Sequence, residues 1–195
     1  MWVGAGLAAS EKRSSMTHPS SAGASEPDPL IMTALFDPQS FDLLDGLRRR
    51  YFPAALNRVP AHATLFHHLP GGDLRAIVER LRMDCAATAP LPFTIGETRF
   101  LGRGVAFAID CPGLVRLRAG FTAAWKDRLT AQDRQGYKPH ATIQNKVSAD
   151  AARDARLRLD ALLPITGTVV GLALWHYRGG PGEEAGRFTF DAGAA

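Results

Sequence analysis

The chain contains the tripeptide His-Ala-Thr twice, once in each half, and an aliphatic residue follows each copy. The first copy reads AHATLF and the second PHATIQ, and both lie in short apolar runs that predict β-strands. Because successive side chains of a strand point to opposite faces, His62 and Thr64 share one face, as do His140 and Thr142. The repeat therefore predicts two strands that each present an imidazole and a hydroxyl and that can line one cleft from opposite sides.

The predicted order after each motif is the same: one helix and then two strands. The predicted strands are residues 30–36, 62–68, 93–101, 105–111, 139–147, 165–178 and 187–191, and the predicted helices begin after Asp37, Gly72, Gly113 and Ser148. This duplication predicts two packed lobes related by a pseudo-twofold axis, with the motif strands meeting at the axis. Helices and hairpins are mixed without regular βαβ winding, so we expect an α+β fold.

Composition limits the domain organisation and the environment. Residues 1–28 are rich in Ser, Ala, Gly and Pro, so we expect them to be disordered and residues 29–195 to form a single bilobal domain. No apolar run approaches the roughly 20 residues that span a bilayer, and the start of the chain lacks the basic region of a signal peptide. We therefore expect a cytoplasmic monomer without membrane contact, in which Cys85 and Cys111 are buried.

Positive charge is concentrated before the second motif. Residues 99–146 carry nine basic and three acidic side chains, whereas residues 1–45 carry two basic and six acidic ones. Such an excess predicts an anionic substrate. A solvated basic surface without a partner is the alternative.

The four motif side chains suit proton transfer around a phosphate. An unperturbed histidine titrates near pH 6.5, so His62 and His140 can occupy opposite protonation states near neutrality. A neutral imidazole then accepts a proton from water while the other, protonated, donates one to the leaving oxygen. The hydroxyls of Thr64 and Thr142 can donate to the non-bridging oxygens. This chemistry requires neither a metal nor a nucleophilic side chain, so we expect no cofactor.

The paired motifs resemble those of the 2H phosphoesterase superfamily, and most closely its branch of 2′–5′ RNA ligase-like proteins, also described as RNA 2′,3′-cyclic phosphodiesterases. The run Lys138-Pro139-His140-Ala141-Thr142-Ile143 resembles the second motif of that branch, including the proline before the histidine. The resemblance covers residues 30–191. It implies two lobes of antiparallel sheet around a central cleft and metal-independent chemistry on an RNA end or a small nucleotide with a cyclic phosphate, or on 2′–5′ phosphodiesters.

The sequence departs from the family pattern after the second motif. The family often has an arginine there, whereas this chain has Gln144-Asn145-Lys146. Strand alternation places Lys146 on the face of His140, where its ammonium can replace the guanidinium as a less directional donor. By the same alternation His68 shares the face of His62, and His67 does not. Tyr137 and Lys138 lie just before the second motif. The candidate substrate-binding residues are therefore Lys138, Lys146, His68 and Tyr137.

Three other functions compete with this interpretation. A metal hydrolase would use His62, His68 and His140 as a three-histidine zinc site, although threonine is a poor ligand at the second motif position. A non-catalytic RNA-binding module would use the basic segment, although the aromatic ribonucleoprotein motifs are missing. A nucleotide-dependent ligase is disfavoured because the chain has no Gly-x-x-x-x-Gly-Lys-Ser/Thr loop.

Overall fold

The computed structural model describes residues 27–178 and 182–193. Most of the segment predicted to be disordered, residues 1–26, lies outside the described residues. The described chain forms seven strands, four α-helices and three single turns of 3₁₀ helix. The strands are β1 (Leu30–Phe36), β2 (Ala63–Leu69), β3 (Leu91–Phe100), β4 (Val105–Asp110), β5 (His140–Gln144), β6 (Ile165–His176) and β7 (Glu183–Thr189). The helices are α1 (Pro38–Tyr51), α2 (Leu74–Ala86), α3 (Pro112–Ala124) and α4 (Ala149–Asp160).

The strands form one antiparallel sheet in the order β2-β1-β6-β3-β4-β5, and β7 pairs with β6. The long strand β6 belongs to both halves of this sheet. Its first residues, Ile165–Val169, pair with β3, whereas Val169–His176 pair with β1. β7 pairs with the same second half of β6. The sheet therefore has two four-stranded halves that share β6, which confirms the α+β fold with a duplicated element order.

The two motif strands lie at the opposite ends of the strand order, yet they contact each other. The sheet curls until β2 meets β5 and is nearly closed into a barrel. Twist of successive strands, always of one hand, produces such curvature in long antiparallel sheets. The two histidine motifs, 78 positions apart in sequence, are thereby brought to one place.

Helices α1 and α4 each begin directly after a residue whose side chain caps the helix. Asp37 caps α1 by accepting a hydrogen bond from the backbone N–H of Ser40, and Pro38 occupies the first helical position. Ser148 caps α4 by accepting from Ala151. The start of α2 differs from the expectation, because the Gly-Gly-Asp segment forms a 3₁₀ turn and Asp73 makes no side-chain cap.

The core lies between the sheet and the helices. Its buried side chains come from every strand and every α-helix, and the largest fully buried ones are Phe66, Phe107 and Phe121. Phe121 stacks on Trp125 with ring centroids 5.0 Å apart, and both aromatic rings pack in or against the core. Among the described residues, no helix has the length and hydropathy that crossing a bilayer requires.

Two residues of the segment predicted to lie outside the domain take part in the described fold. Asp28 accepts a hydrogen bond from Arg178 at 2.8 Å. The backbone oxygens of Pro27 and Asp28 also lie so close to Gly71 that a Cβ at that position would be 2.0 Å from the nearest of them. Only glycine fits at position 71, which keeps this part of the chain against the start of α2.

Candidate active site

The first motif presents its histidine and threonine to one side of the sheet. His62 immediately precedes β2 and Thr64 is the second residue of the strand. Ala63 and Leu65 are fully buried in the core, while His62 and Thr64 keep partial exposure. This is the predicted alternation, and it places His62 and Thr64 on the wall of a cleft of about 780 Å³.

The second motif repeats this arrangement. His140 is the first residue of β5 and Thr142 the third, and both line the same cleft. Ala141 and Ile143 are buried in the core. The structure therefore brings the four predicted catalytic side chains together in one cavity.

Both imidazoles are oriented by the same backbone contact. The Nδ1 of His62 lies 2.7 Å from the carbonyl oxygen of Pro60, and the Nδ1 of His140 lies 3.1 Å from that of Lys138. A carbonyl can only accept, so each Nδ1 must carry a proton. When neutral, each ring then has its accepting lone pair on Nε2, the nitrogen available for chemistry.

His62 is poised to be neutral. Burial lowers the pKa of His62, and the nearby positive charges of Arg48, His140 and His67 lower it further, against the hydrogen bond to Pro60, which raises it. This environment therefore favours the neutral form of His62, the form that can accept a proton.

Arg48, on α1, connects the segments that carry the two motifs. Its side chain is 6% exposed. Nη1 donates to the carbonyl of Thr142 at 2.6 Å, and Nε lies 3.0 Å from the carbonyl of Val59 and 2.9 Å from Oδ1 of Asn57. Arg48 therefore fixes the loop before His62 against strand β5.

Arg118, on α3, has the corresponding position in the other half. It is also 6% exposed. Its Nε donates to the carbonyl of Leu65 in β2 at 3.0 Å, and its Nη2 donates to the carbonyl of Asp133 at 2.6 Å. Each motif strand is therefore held by a buried arginine, a relationship that extends the duplication to the helices.

The cleft is one-sided despite the pseudo-symmetry of the fold. Its walls come from β1, the start of α1, residues 58–62, β2 and the β6–β7 hairpin, whereas β5 contributes only His140 and Thr142. Among the described residues, neither β3 nor β4 contributes to the lining. The wall beside the histidines is largely apolar, and its members include Ile31, Leu35, Phe41, Val59 and Trp175. The additional space beside the motifs therefore lies over the β1–β6–β7 half of the sheet.

The predicted alternation fails after Leu65, and the placement of His68 was wrong. The register of β2 with β1 shifts twice, so that Leu65 and Phe66 are both buried and His67 and His68 are both exposed. His67, rather than His68, lines the cleft. Asp133 holds this irregular strand by accepting from the backbone N–H groups of both histidines at 2.9 Å.

The other three substrate-binding candidates also lie elsewhere. A register shift between Thr142 and Gln144 ends the alternation of β5, and Lys146 follows the strand in a left-handed conformation, with φ at 62°. Neither Lys146 nor Lys138 is among the residues that line the cleft. Tyr137 packs against the core with Arg118 over its ring, and burial raises the pKa of its hydroxyl. The predicted lysine contact therefore has no support in the structure.

The cleft contains functional groups that the motifs did not reveal. Arg58, in the loop before His62, lines the cleft and has no carboxylate partner among the described residues. Arg187, on β7, lines it from the far side and pairs with Glu184 at 2.8 Å. Trp175, on β6, lies on the cleft wall. Apart from the position of Arg58 four residues before a motif histidine, the sequence carries no signal for these residues.

The three-histidine zinc site is not formed. His68 lies outside the cleft that contains His62 and His140. Within the described ranges, no three His, Cys, Asp or Glu side chains are grouped to hold a metal ion. The donor set that this alternative requires is therefore not assembled by the fold.

Comparison with known proteins identifies the family. Residues 36–181, about three quarters of the chain, match the model of the 2′-5′ RNA ligase superfamily. The chain belongs to the 2′-5′ RNA ligase superfamily. This confirms the assignment to the 2H phosphoesterases that the paired motifs predicted.

Two solved structures of low sequence identity share this fold. The protein TT0787 of Thermus thermophilus superposes with a TM-score of 0.62 at 18% identity, over 84% of this chain and 98% of that one. LigT of E. coli in complex with 3′-AMP superposes with a TM-score of 0.55 at 16% identity, over 85% of this chain and 99% of that one. These similarities show that the fold is shared over nearly the whole length of both proteins.

A curated relative matches only a short segment. GTPase Der of Mycolicibacterium vanbaalenii is 35% identical over 74 residues, which are 37% of this chain and 16% of that protein. The chain thus spans about a sixth of the length of that relative. The sequence lacks the Gly-x-x-x-x-Gly-Lys-Ser/Thr loop with which nucleotide hydrolases bind phosphate, so this short match does not indicate GTPase activity.

Proposed function

We propose that the protein is a metal-independent phosphoesterase that acts on RNA 2′,3′-cyclic phosphates or 2′–5′ phosphodiesters, with His62 and His140 as general acid and base. The observation that carries this proposal is the matched orientation of the two rings. Each Nδ1 is committed to a backbone carbonyl, each ring lines the same cleft, and each Nε2 is left for substrate. Two structural histidines would not require this symmetry.

The geometry supports a two-proton mechanism. One neutral imidazole accepts a proton from water through Nε2 as the water oxygen forms a bond to phosphorus. The ribose oxygen leaves as its bond to phosphorus breaks, and it takes the Nε2 proton of the other ring. After the reaction the ring that accepted a proton is charged and the ring that donated one is neutral. Proton exchange with solvent then restores the starting protonation state of each ring. Each transfer contributes roughly 10²–10⁴-fold to the rate.

Hydroxyls and arginines stabilise the charge on phosphate. Thr64 and Thr142 lie on the same walls as the histidines and donate to the non-bridging oxygens. Arg58 and Arg187 supply the positive charge for which the sequence suggested lysines. Arg58 is the better placed of the two, since it precedes His62 by four residues and has no competing carboxylate among the described residues.

The one-sided cleft supports one placement of the nucleoside. With the phosphate between the two motifs, the further space that the described residues enclose lies over the apolar wall of Phe41, Val59 and Trp175. Such a surface suits an aromatic base, which loses little hydration when buried. LigT of E. coli has been crystallised with 3′-AMP and with NADP⁺, which supports a ligand of nucleotide size in this fold.

The product tests the proposal. As the resemblance to cyclic phosphodiesterases implies, we expect a 2′,3′-cyclic mononucleotide to be opened with loss of the 3′ oxygen, leaving a 2′-phosphate. Phosphorus NMR distinguishes the 2′- from the 3′-phosphate, and the reaction is run in chelator so that adventitious metal does not contribute. A 3′-phosphate would contradict the expected leaving oxygen, and hydrolysis that requires added metal would contradict the mechanism. Tight RNA binding without turnover would favour the binding-module alternative.

A further inference from the structure

A third threonine lies beside the first motif. Thr33, on β1, pairs directly with Thr64 on β2, and its side chain is 6% exposed. Side chains of directly paired residues lie on the same face with their Cβ atoms about 5 Å apart. Thr33 is also one of the residues that line the cleft. Thr33 therefore lies beside Thr64 on the face of the sheet that lines the cleft.

A hydrogen bond from Trp175 leaves the hydroxyl of Thr33 free to act as a donor. The indole Nε1 of Trp175 donates to Oγ1 of Thr33 at 2.9 Å. An indole N–H can only donate, so this contact uses an accepting lone pair of the hydroxyl and leaves its proton free. Within the described part of the chain, the hydroxyl of Thr33 makes no other hydrogen bond. A buried donor without an acceptor carries a desolvation cost that a ligand oxygen would remove.

The other half of the sheet lacks this hydroxyl. Thr142 occupies the position of Thr64 in the second motif, and its direct partner on the neighbouring strand is Ala106. The duplication would allow either orientation of a substrate between the motifs. The cleft therefore has an additional hydroxyl, that of Thr33, on the His62 side, which is also the side of the apolar wall.

We propose that Thr33 is a third hydroxyl donor to a phosphate oxygen of the substrate, and that Trp175 is the positioning residue that orients it. This inference rests on the proposed phosphoesterase function of the cleft. It assigns three hydroxyls to the phosphate, two from the His62 side and one from the His140 side. The phosphate is thus held more strongly from the side on which the nucleoside lies.

Inorganic phosphate is the probe, because it does not reach the apolar wall. Thr33→Val removes the hydroxyl at nearly constant volume, and we expect the Kd for phosphate, measured by calorimetry, to rise about tenfold. Thr33→Ser keeps the donor and should stay within about twofold of the wild type. Thr98→Val is the matched control: Thr98 is 7% exposed on β3, outside the cleft, and donates to Asp160 at 2.6 Å. It should bind phosphate like the wild type.

Trp175→Phe tests the positioning role. It keeps an apolar ring but removes the N–H, so the freed hydroxyl of Thr33 can also turn away from the ligand. We expect Trp175→Phe to raise the Kd several-fold. Combined with Thr33→Val it should add nothing to the effect of that variant, since Trp175 acts on phosphate through Thr33.

The possible results separate this inference from the proposed function. An unchanged Kd in folded Thr33→Val, or equal losses in the Val and Ser variants, would overturn the role of Thr33. Additive effects of the two substitutions would overturn the positioning role of Trp175. These binding measurements do not require turnover. If the wild type does not hydrolyse cyclic phosphates, the proposed function fails, while the Kd series still decides whether Thr33 binds phosphate.

Discussion

The guanidinium of Arg48 donates to the main-chain carbonyl of Thr142 at 2.6 Å, across 94 positions of sequence. The same side chain contacts the carbonyl of Val59, three residues before His62. One buried arginine thus sets the spacing of the two segments between which phosphate is proposed to bind. Arg118 makes the corresponding contact at the carbonyl of Leu65.

Loss of the Arg48 contacts should destabilise the protein and impair the site together. We expect Arg48→Met to lower the free energy of unfolding by about 3 kcal/mol, because two backbone carbonyls lose a charged donor. Urea denaturation measures this change. Arg49→Met is the control, since Arg49 is exposed and makes only a surface ion pair with Asp45; its effect should be below about 1 kcal/mol. Equal stability of the two variants would contradict the bridging role.

The pKa of His62 should lie below the ordinary histidine value. Burial, followed by the charges of Arg48, His140 and His67, lowers it in the folded state. Proton NMR titration of the ring measures this pKa directly, and Arg48→Met should raise it by removing one charge. A pKa of His62 at or above 6.5 in the wild type would show that this environment has been misjudged.

The lowered pKa of His62 also predicts how stability depends on pH. The unfolded chain takes up the proton at higher pH than the folded protein, so the free energy of unfolding decreases as pH falls below about 6.5. His62→Gln cannot take up this proton. We therefore expect the wild type to lose more stability than His62→Gln between pH 7.5 and 5.5, as measured by urea denaturation. Parallel losses would contradict the prediction.

Asp133 should contribute to stability only in its ionised form. Burial alone would raise its pKa, but hydrogen bonds from the ring and backbone of His67 and from the backbone of His68 outweigh burial and lower it. Because the pKa of Asp133 is lower in the folded protein than in the unfolded chain, ionisation of Asp133 stabilises the fold. This stabilisation is complete above the pKa of the unfolded chain, near 3.8, and is lost as the pH falls through the pKa of the folded protein. We expect Asp133→Asn to cost about 2 kcal/mol at pH 7, and the difference from the wild type to shrink at pH 3.

The exposed Asp127 supplies the control for this prediction. Asp127→Asn should change stability by less than about 0.5 kcal/mol at either pH. A constant deficit of Asp133→Asn from pH 7 to pH 3 would show that the side chain acts by packing rather than by charge.

The sequence predicted the core of the site because alternation is a local rule. Apolar residues flank both motif histidines and both threonines, so the face of each could be read directly. The same rule failed from Phe66 onward, where a β-bulge places two successive residues on one side. Bulges depend on the partner strand and, here, on Asp133, which is more than sixty positions away. No local pattern carries that information.

The arginines were unpredictable for a related reason. Arg48 and Arg118 lie outside the two motifs, and both are buried against backbone carbonyls of distant strands, contacts that no local pattern indicates. Lys138 and Lys146 were predicted to bind substrate because they lie near the second motif in sequence. For Lys146 the prediction assumed continued strand alternation, but β5 ends at Gln144.

Two histidines, His62 and His140, perform the proposed chemistry. The most direct test is hydrolysis of 2′,3′-cyclic mononucleotides in chelator by the wild type, His62→Ala, His140→Ala and the control His68→Ala, whose side chain lies outside the cleft. We predict that kcat/KM falls by about 10²-fold or more in each of the first two variants, with folding retained, and stays near the wild-type value in His68→Ala. Near-full activity of a folded His62→Ala or His140→Ala protein would contradict the two-histidine mechanism.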